Sequence, residues 1–297
     1  MNVILSALVP VSFIIAIGIV AGRTLSLERS TLSQLAVYIL TPALIASSLY
    51  ETTLSSDSTF GLILGYLIVS LCVFAIAQSL GKLLKLPSRS QKSLIASSVF
   101  ANTGNMGLPF VTFALGEAGL ERAIICLIIS SLVIFSTGPG LLQGGGWKES
   151  LRLTIKLPLI WAIMAGLLLR FFSIQLPLRL DDGLELLGGA AIPIALIVLG
   201  IQLSATRFQL GLYEGLTAVI RLLVAPAIAY GVGHVLELDT LDAQVLILQS
   251  AMPTAVNTVV LITQFGGDAS RAARTVVVST VMSLATLPLI LWLSLLL

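Results

Sequence analysis

Ala101-Asn102-Thr103-Gly104-Asn105-Met106-Gly107-Leu108-Pro109 interrupts a long apolar stretch with amides, glycines and a proline. A second interruption, Ser250-Ala251-Met252-Pro253-Thr254-Ala255-Val256-Asn257, stands about half a chain later. Lipid offers no partner to freed backbone groups or bare side-chain amides, so such runs survive in a membrane only when buried in protein or lining a cavity. Paired breaks in corresponding places point to a binding site between discontinuous helices.

The surrounding composition supplies the membrane. Of 297 residues 57% are hydrophobic and only 10% charged, and the mean hydropathy is +1.06, which is far from the soluble range. Apolar segments of about 20 residues, the length of a spanning helix, fall near 2–22, 31–50, 60–81, 93–116, 123–142, 154–172, 184–204, 209–236, 243–265 and 275–296. The expected architecture is therefore an all-α integral membrane protein of ten helices. The first segment has no basic leader or small-residue cleavage site and reads as a retained helix. No stretch is left for a soluble domain. Phosphate loops, zinc spacings and basic-aromatic runs are absent, so no nucleic-acid partner and no cofactor is expected. Cys72 and Cys126 lie in separate apolar segments and read as small buried hydrophobes.

Basic residues alternate between the connections. Arg23, Arg29, Lys82, Lys85, Arg89, Lys92, Lys148, Arg152, Lys156, Arg207, Arg271 and Arg274 fall in odd-numbered loops, against Arg122, Arg170 and Arg179 in even ones. The positive-inside rule then puts the odd loops in the cytoplasm and both termini outside, in a multi-pass protein of the inner (plasma) membrane. The acidic loops Glu51 to Asp57 and Glu237 to Asp242 fit the outer side.

Landmarks also recur at an offset near half the length. Pro10 and Pro158, and Phe60 and Phe208, are 148 apart; Pro139 and Pro288 are 149 apart. Pro42 and Pro193, and Gly116 and Gly267, differ by 151, while Asn105 and Asn257 differ by 152. We read residues 1–142 as one five-helix repeat, 143–153 as a cytoplasmic linker, and 154–297 as a second repeat. Five is odd, so the second repeat enters from the opposite side and is inverted. Inverted repeats supply two mirror-related packings, which favours a carrier over a pore or an enzyme.

In each repeat the fourth helix carries the break. Pro109 and Pro253 each remove a backbone donor, and Gly104 and Gly107 make unwinding cheap. Released carbonyls and the amides of Asn102 and Asn105 form one polar cluster, and Ser250, Thr254 and Asn257 the other. If the broken helices cross, the positive N-terminal ends of their half-helices face one another and suit an anion, above all a carboxylate.

The run Asn102-Thr103-Gly104-Asn105-Met106-Gly107-Leu108-Pro109, the second break from Met252-Pro253 to Asn257, and ten helices in 5+5 form resemble the auxin efflux carrier family, which includes plant auxin exporters and bacterial malate or malonate permeases. The resemblance covers essentially the whole chain. It implies the fold shared with bile-acid sodium symporters, with helices 1, 2, 6 and 7 as scaffold and helices 3–5 and 8–10 as a moving transport core. It also implies Asn105 and Asn257 as substrate-facing amides, and Pro109 and Pro253 as markers of the crossover. The plant exporters have a long loop between helices 5 and 6. Only about ten residues, around Gly144-Gly145-Gly146-Trp147-Lys148, join the repeats here. Auxin is accordingly a doubtful substrate.

The expected substrate-binding set is Asn102, Thr103, Asn105, Pro109, Pro253, Thr254, Asn257, Arg221, Tyr38 and Thr41. Arg221 lies within the eighth segment, where it either attracts an anion or caps carbonyls freed by a break. Tyr38 and Thr41, with Gln34, Pro42 and Pro193, suggest that helices 2 and 7 face the core. His234 reads as a surface residue, and Trp147, Trp161 and Trp292 as interfacial anchors.

No carboxylate falls at a helix centre, which disfavours obligatory proton antiport. Sodium stays open, because carbonyls, Asn and Ser could supply its ligands, and electrogenic uniport fits as well. The expected function is elevator-type transport of small organic anions, carboxylates of the auxin or the malate/malonate kind, by efflux or uniport. The alternatives are a sodium-coupled symporter of the bile-acid type and a non-transporting membrane receptor. A membrane enzyme lacks a catalytic pair. Partners are the anion, the bilayer and, with the oligomeric state open, a second copy in a homodimer.

Overall fold

The computed structural model describes residues 2–143, 154–205 and 208–297. The linker from Gly144 with Trp147, Lys148 and Arg152, and Arg207, lie outside the described residues. Within them the chain is all-helical, and the one β-type pairing is an isolated antiparallel bridge between Ala101 and Thr254. Helix is what an apolar chain must form where water cannot satisfy its backbone.

Helix α1 covers Asn2–Thr24. Next, α2 (Arg29–Leu35) runs through a wide turn at Ala36–Leu40 into α3 (Thr41–Glu51). The long α4 (Ser56–Leu83) starts at Ser55, whose hydroxyl accepts from the Ser58 amide at 3.1 Å. Then α5 (Ser88–Val99) stops, and a wide turn at Thr103–Gly107 leads into α6 (Leu108–Gln143). The second half comprises α7 (Pro158–Phe171), α8 (Leu180–Gly189), α9 (Ala191–Ala205), and α10 (Leu212–Val219) joined through Ile220–Val224 to α11 (Ala225–Val235). Helices α12 (Thr240–Ser250), α13 (Asn257–Phe265) and α14 (Ala269–Ser294) complete it.

The three wide, π-type turns share a cause. Each ends two residues before a proline: Leu40 before Pro42, Gly107 before Pro109, Val224 before Pro226. Proline has no N–H and its ring clashes with the carbonyl one turn back, so the preceding turn opens to i→i+5 bonding rather than leaving that clash.

Among the described residues, seven helical stretches are long and apolar enough to cross a membrane, against the ten segments expected from sequence. The differences lie where backbone breaks fall. The fourth and fifth segments fuse into the run Thr103–Ser136. That run bends at Gly116, whose φ of 70° and ψ of −164° no L side chain adopts easily. The sixth, Pro158–Phe171, has only 14 residues, and the ninth is divided into helices of 11 and 9.

Packing relies on small residues, because lipid gives no hydrophobic drive between helices. Helix α1 lies on α9 with backbones almost touching: a Cβ at Gly200 would sit 2.3 Å from the Ile15 carbonyl oxygen, and one at Gly18 would sit 2.4 Å from that of Ile197. Helix α3 meets α7 in the same way, where a Cβ at Gly166 would sit 2.8 Å from the Ala46 carbonyl oxygen, and meets α8 at Gly188. The remaining helices, α4–α6 and α10–α14, pack mainly among themselves. Large apolar side chains such as Phe13, Leu71 and Leu186 point outward, whereas Ser97, Gln249, Thr254, Ser279 and Ser283 are buried. Apolar residues still make up most of the interior, and the apolar exterior is what a lipid solvent permits.

Candidate functional site

The two interruptions cross and bond to each other. The Asn102 amide donates to the Pro253 carbonyl at 2.8 Å, and the Ala255 amide donates to the Phe100 carbonyl at 2.8 Å, on either side of the Ala101–Thr254 bridge. Backbone groups released by each break are thus satisfied by the other. Side chains complete the junction. The Thr254 hydroxyl donates to the Ser97 carbonyl at 2.7 Å, the Thr254 amide donates to the Ser279 hydroxyl at 3.1 Å, and the Thr103 and Ser130 hydroxyls lie 2.6 Å apart.

The crossing sorts the helix ends by charge. Helices α5 and α12 both end at Arg221, whose buried guanidinium donates to the carbonyls of Ser98 at 2.8 Å, Val99 at 3.2 Å and Ser250. C-terminal helix ends carry partial negative charge, so a cation capping both is well placed. Of the two roles open for Arg221, the capping of freed carbonyls is the one its contacts describe. Its Nε has no partner among the described residues.

The starts of the second half-helices, Thr103 and Asn257, face the other way, into a cavity of about 110 Å³. Asn102, Thr103, Gly104, Asn105 and Asn257 line it from the crossing, Val37 and Thr41 from the α2–α3 helix, Leu127, Ser130 and Ser131 from α6, and Leu157 to Leu159 from the start of α7. Among the described residues, none that lines it carries a charge. Asn105 is half-buried and Asn257 exposed, and neither amide hydrogen-bonds to a described protein group. Asn102 is buried with its Nδ2 unpartnered. The arrangement offers amide donors and two helix N-termini to a small ligand, as an anion requires.

Five of the ten expected residues therefore meet at one cavity: Asn102, Thr103, Asn105, Asn257 and Thr41. Pro253 and Thr254 form the crossing behind it, and Pro109 is buried at the start of α6. Arg221 lies at the opposite helix ends, and Tyr38, 58% exposed, is not brought to the cavity. His234 is exposed, and Cys72 and Cys126 are unpaired, Cys126 being fully buried.

Three features carry no clear mark in the sequence. Ser130 and Ser279 each bond to one of the breaks. Gln249 is wholly buried with both amide atoms unpartnered; a lone amide in an apolar run is its available signal. Asp242, 1% exposed, pairs with Arg122 at 2.5 Å and ties α12 to α6. In sequence it reads as part of an acidic outer loop.

A helical membrane protein with two crossed broken helices beside a small cavity, lined by amides and hydroxyls among apolar side chains, is built as a carrier. Comparison with known proteins gives the family. A sequence profile described as "Membrane transport protein" matches residues 3–151 and 147–291. The chain belongs to this family, the one that the auxin-efflux-carrier resemblance indicated, and is a membrane transporter rather than an enzyme. It is 30% identical over 271 residues to an "Uncharacterized transporter" of Methanocaldococcus jannaschii, covering 88% of each chain. It is 25% identical over 271 residues to a "Putative malonate transporter" of Rhizobium meliloti, covering 86% of this chain and 84% of that one. To the uncharacterized transporter YfdV of Escherichia coli it is 23% identical over 185 residues, 60% of this chain and 59% of the other.

Proposed function

We propose that the protein carries small organic anions, malonate-like dicarboxylates foremost, with the crossing as their binding site. The observation that carries this is the pair of unpartnered amides, Asn105 and Asn257, at two facing helix N-termini in one cavity. The name of the Rhizobium relative fits that chemistry. The cavity of about 110 Å³, well below the roughly 300 Å³ of drug-sized pockets, favours a compact carboxylate over an indole-bearing auxin.

The transport mechanism we infer is an elevator within ten helices arranged as inverted repeats, residues 1–142 and 154–297. Support comes from equivalent contacts at the repeat offset. Gly18 on Ile197 mirrors Gly166 on Ala46, and Thr103 with Ser130 mirrors Thr254 with Ser279. Helices α1, α2–α3 and α7–α9 form the scaffold and the others the moving core, which agrees with how they pack. The basic-residue bias puts both termini outside the inner membrane.

Flux of labelled malonate into proteoliposomes tests the site. Asn105→Ala and Asn257→Ala each lower transport at least tenfold, while wild-type-like transport by both overturns the assignment.

A sodium-coupled reading has one observation behind it. Gln249 Oε1 and the hydroxyls of Ser97, Ser98 and Ser250 are buried without partners beside the crossing, and oxygen donors are what hard cations take. Flux that requires sodium would favour this reading.

A further inference from the structure

A second cavity, of about 430 Å³, adjoins the crossing. Val256, 7% exposed, lines both cavities and forms the wall between them. Beyond it, Val260, Thr263 and Gln264 continue along one side of α13, and Arg29 and Gln202 face them from α2 and α9. Val256, Val260, Thr263 and Gln264 thus form a helical stripe that starts at the residue before Asn257 and runs along α13.

Among the described residues, Arg29 is the single charged one lining this space. It forms no ion pair among the described residues. The adjacent carboxylate of Glu28 is instead held by the hydroxyls of Ser30 at 2.6 Å and Thr31 at 2.5 Å. The arginines at the start of α14, whose Ala273 lines the same space, are engaged: Arg271 bonds Asp268 at 3.3 Å and stacks over Tyr213, and Arg274 bonds Glu214 at 2.9 Å. A cation outside any ion pair, in a cleft with low-dielectric walls, raises the local concentration of anions.

We propose that this cavity is the aqueous entrance to the crossing site, and that Arg29 is the specificity-determining cation that gathers anions into it. The proposal rests on the organic-anion reading above. In this arrangement the binding site itself stays uncharged and releases its ligand easily, while selection for negative charge is made at the entrance, before Val256.

The test reads local potential without needing transport. In full-length protein lacking both native cysteines (Cys72→Ala, Cys126→Ala), Val260→Cys and Thr263→Cys are modified in proteoliposomes with sulfonatoethyl and trimethylammonioethyl methanethiosulfonate, with rates normalised to a free thiol. With Arg29 present, the anionic reagent is favoured roughly tenfold, the low end for a one-sign cleft, and the preference fades as salt is raised. Arg29→Gln abolishes the preference and Arg29→Lys restores it. Val235→Cys, at the far end of α11, shows no dependence on Arg29. Unreactive cysteines at 260 and 263, or a preference unchanged by Arg29→Gln, overturn the proposal. If the Arg29-dependent preference holds while no carboxylate moves through the wild type, the anion-gathering entrance stands and the substrate reading alone fails. Flux that depends on Asn105 and Asn257 with no Arg29 effect on labelling sinks the entrance alone.

Discussion

Thr254 and Ser97, 157 residues apart, are joined by a 2.7 Å hydrogen bond from the threonine hydroxyl to the serine carbonyl, both groups buried. Ser97 precedes the end of α5, so this bond ties the second break to the helix that enters the first. Thr254→Val keeps the volume and strands that carbonyl, at a cost of about 1–3 kcal/mol. A lowered apparent melting temperature in detergent is expected for Thr254→Val but not for Thr254→Ser.

Arg221 has a heavier role. Replacing it by Met removes a cation from two helix C-termini and leaves the carbonyls of Ser98, Val99 and Ser250 unpaired. The loss exceeds about 3 kcal/mol, since each bond to a charged group is worth about 1.5–3. We expect poor folded yield from Arg221→Met, a milder defect from Arg221→Lys, and a substrate affinity in the surviving Lys protein close to wild type. An affinity loss in the lysine variant without any loss of thermal stability would instead assign Arg221 to the ligand.

Close backbone approach makes Gly200 costly to replace. Even Ala puts a Cβ 2.3 Å from the Ile15 carbonyl oxygen and 2.7 Å from the Gly18 Cα, an overpacking that costs about 1–3 kcal/mol. Gly200→Ala and Gly18→Ala therefore melt earlier than wild type, whereas Gly183→Ala, with nothing within 4 Å of the added carbon, does not. Size-exclusion profiles after graded heating distinguish them.

Cavity size sets substrate length. Leu127 lines the crossing cavity and faces Gly104, where a Cβ would lie 3.2 Å from the leucine Cδ1. Leu127→Ala should admit longer dicarboxylates, shifting their competition against malonate by roughly tenfold, the scale of one or two methylenes. An unchanged competition series would remove Leu127 from the specificity wall.

The Arg122–Asp242 pair is buried on the aspartate side. Asp242→Asn leaves Arg122 poorly compensated and destabilises, while Arg122→Met with Asp242→Leu recovers much of the loss, because paired apolar replacements often match a buried ion pair. A double-mutant cycle on apparent melting temperature gives the coupling.

Much of this is legible in the residues, for identifiable reasons. Membrane residence follows from composition, and both breaks announce themselves through amides and prolines that lipid cannot accommodate. Asn105 and Asn257 stand out because a bare amide in an apolar run must find either a polar partner or a cavity. What one dimension conceals is partnership. Arg221 reads equally as ligand or cap along the chain, and only the fold brings Ser98 and Ser250 together on it. Ser130, a small hydroxyl that helices hide easily, gives no signal of meeting Thr103. Tyr38 and Thr41 are three residues apart, and the wide turn between Ala36 and Leu40 sends only the second to the cavity.

That wide turn and its two counterparts amount to an extra residue wound into a helix, held there by the proline that follows. Replace Pro109 with Ala and Thr103–Gly107 is free to tighten to the ordinary pitch. The phase of everything on its N-terminal side would then slip by about one residue, roughly 100° of rotation. Asn102 would swing away from Asn257 with no contacting side chain altered. Pro109 never touches the cavity, yet it works as the vernier that sets the bearing of the amides.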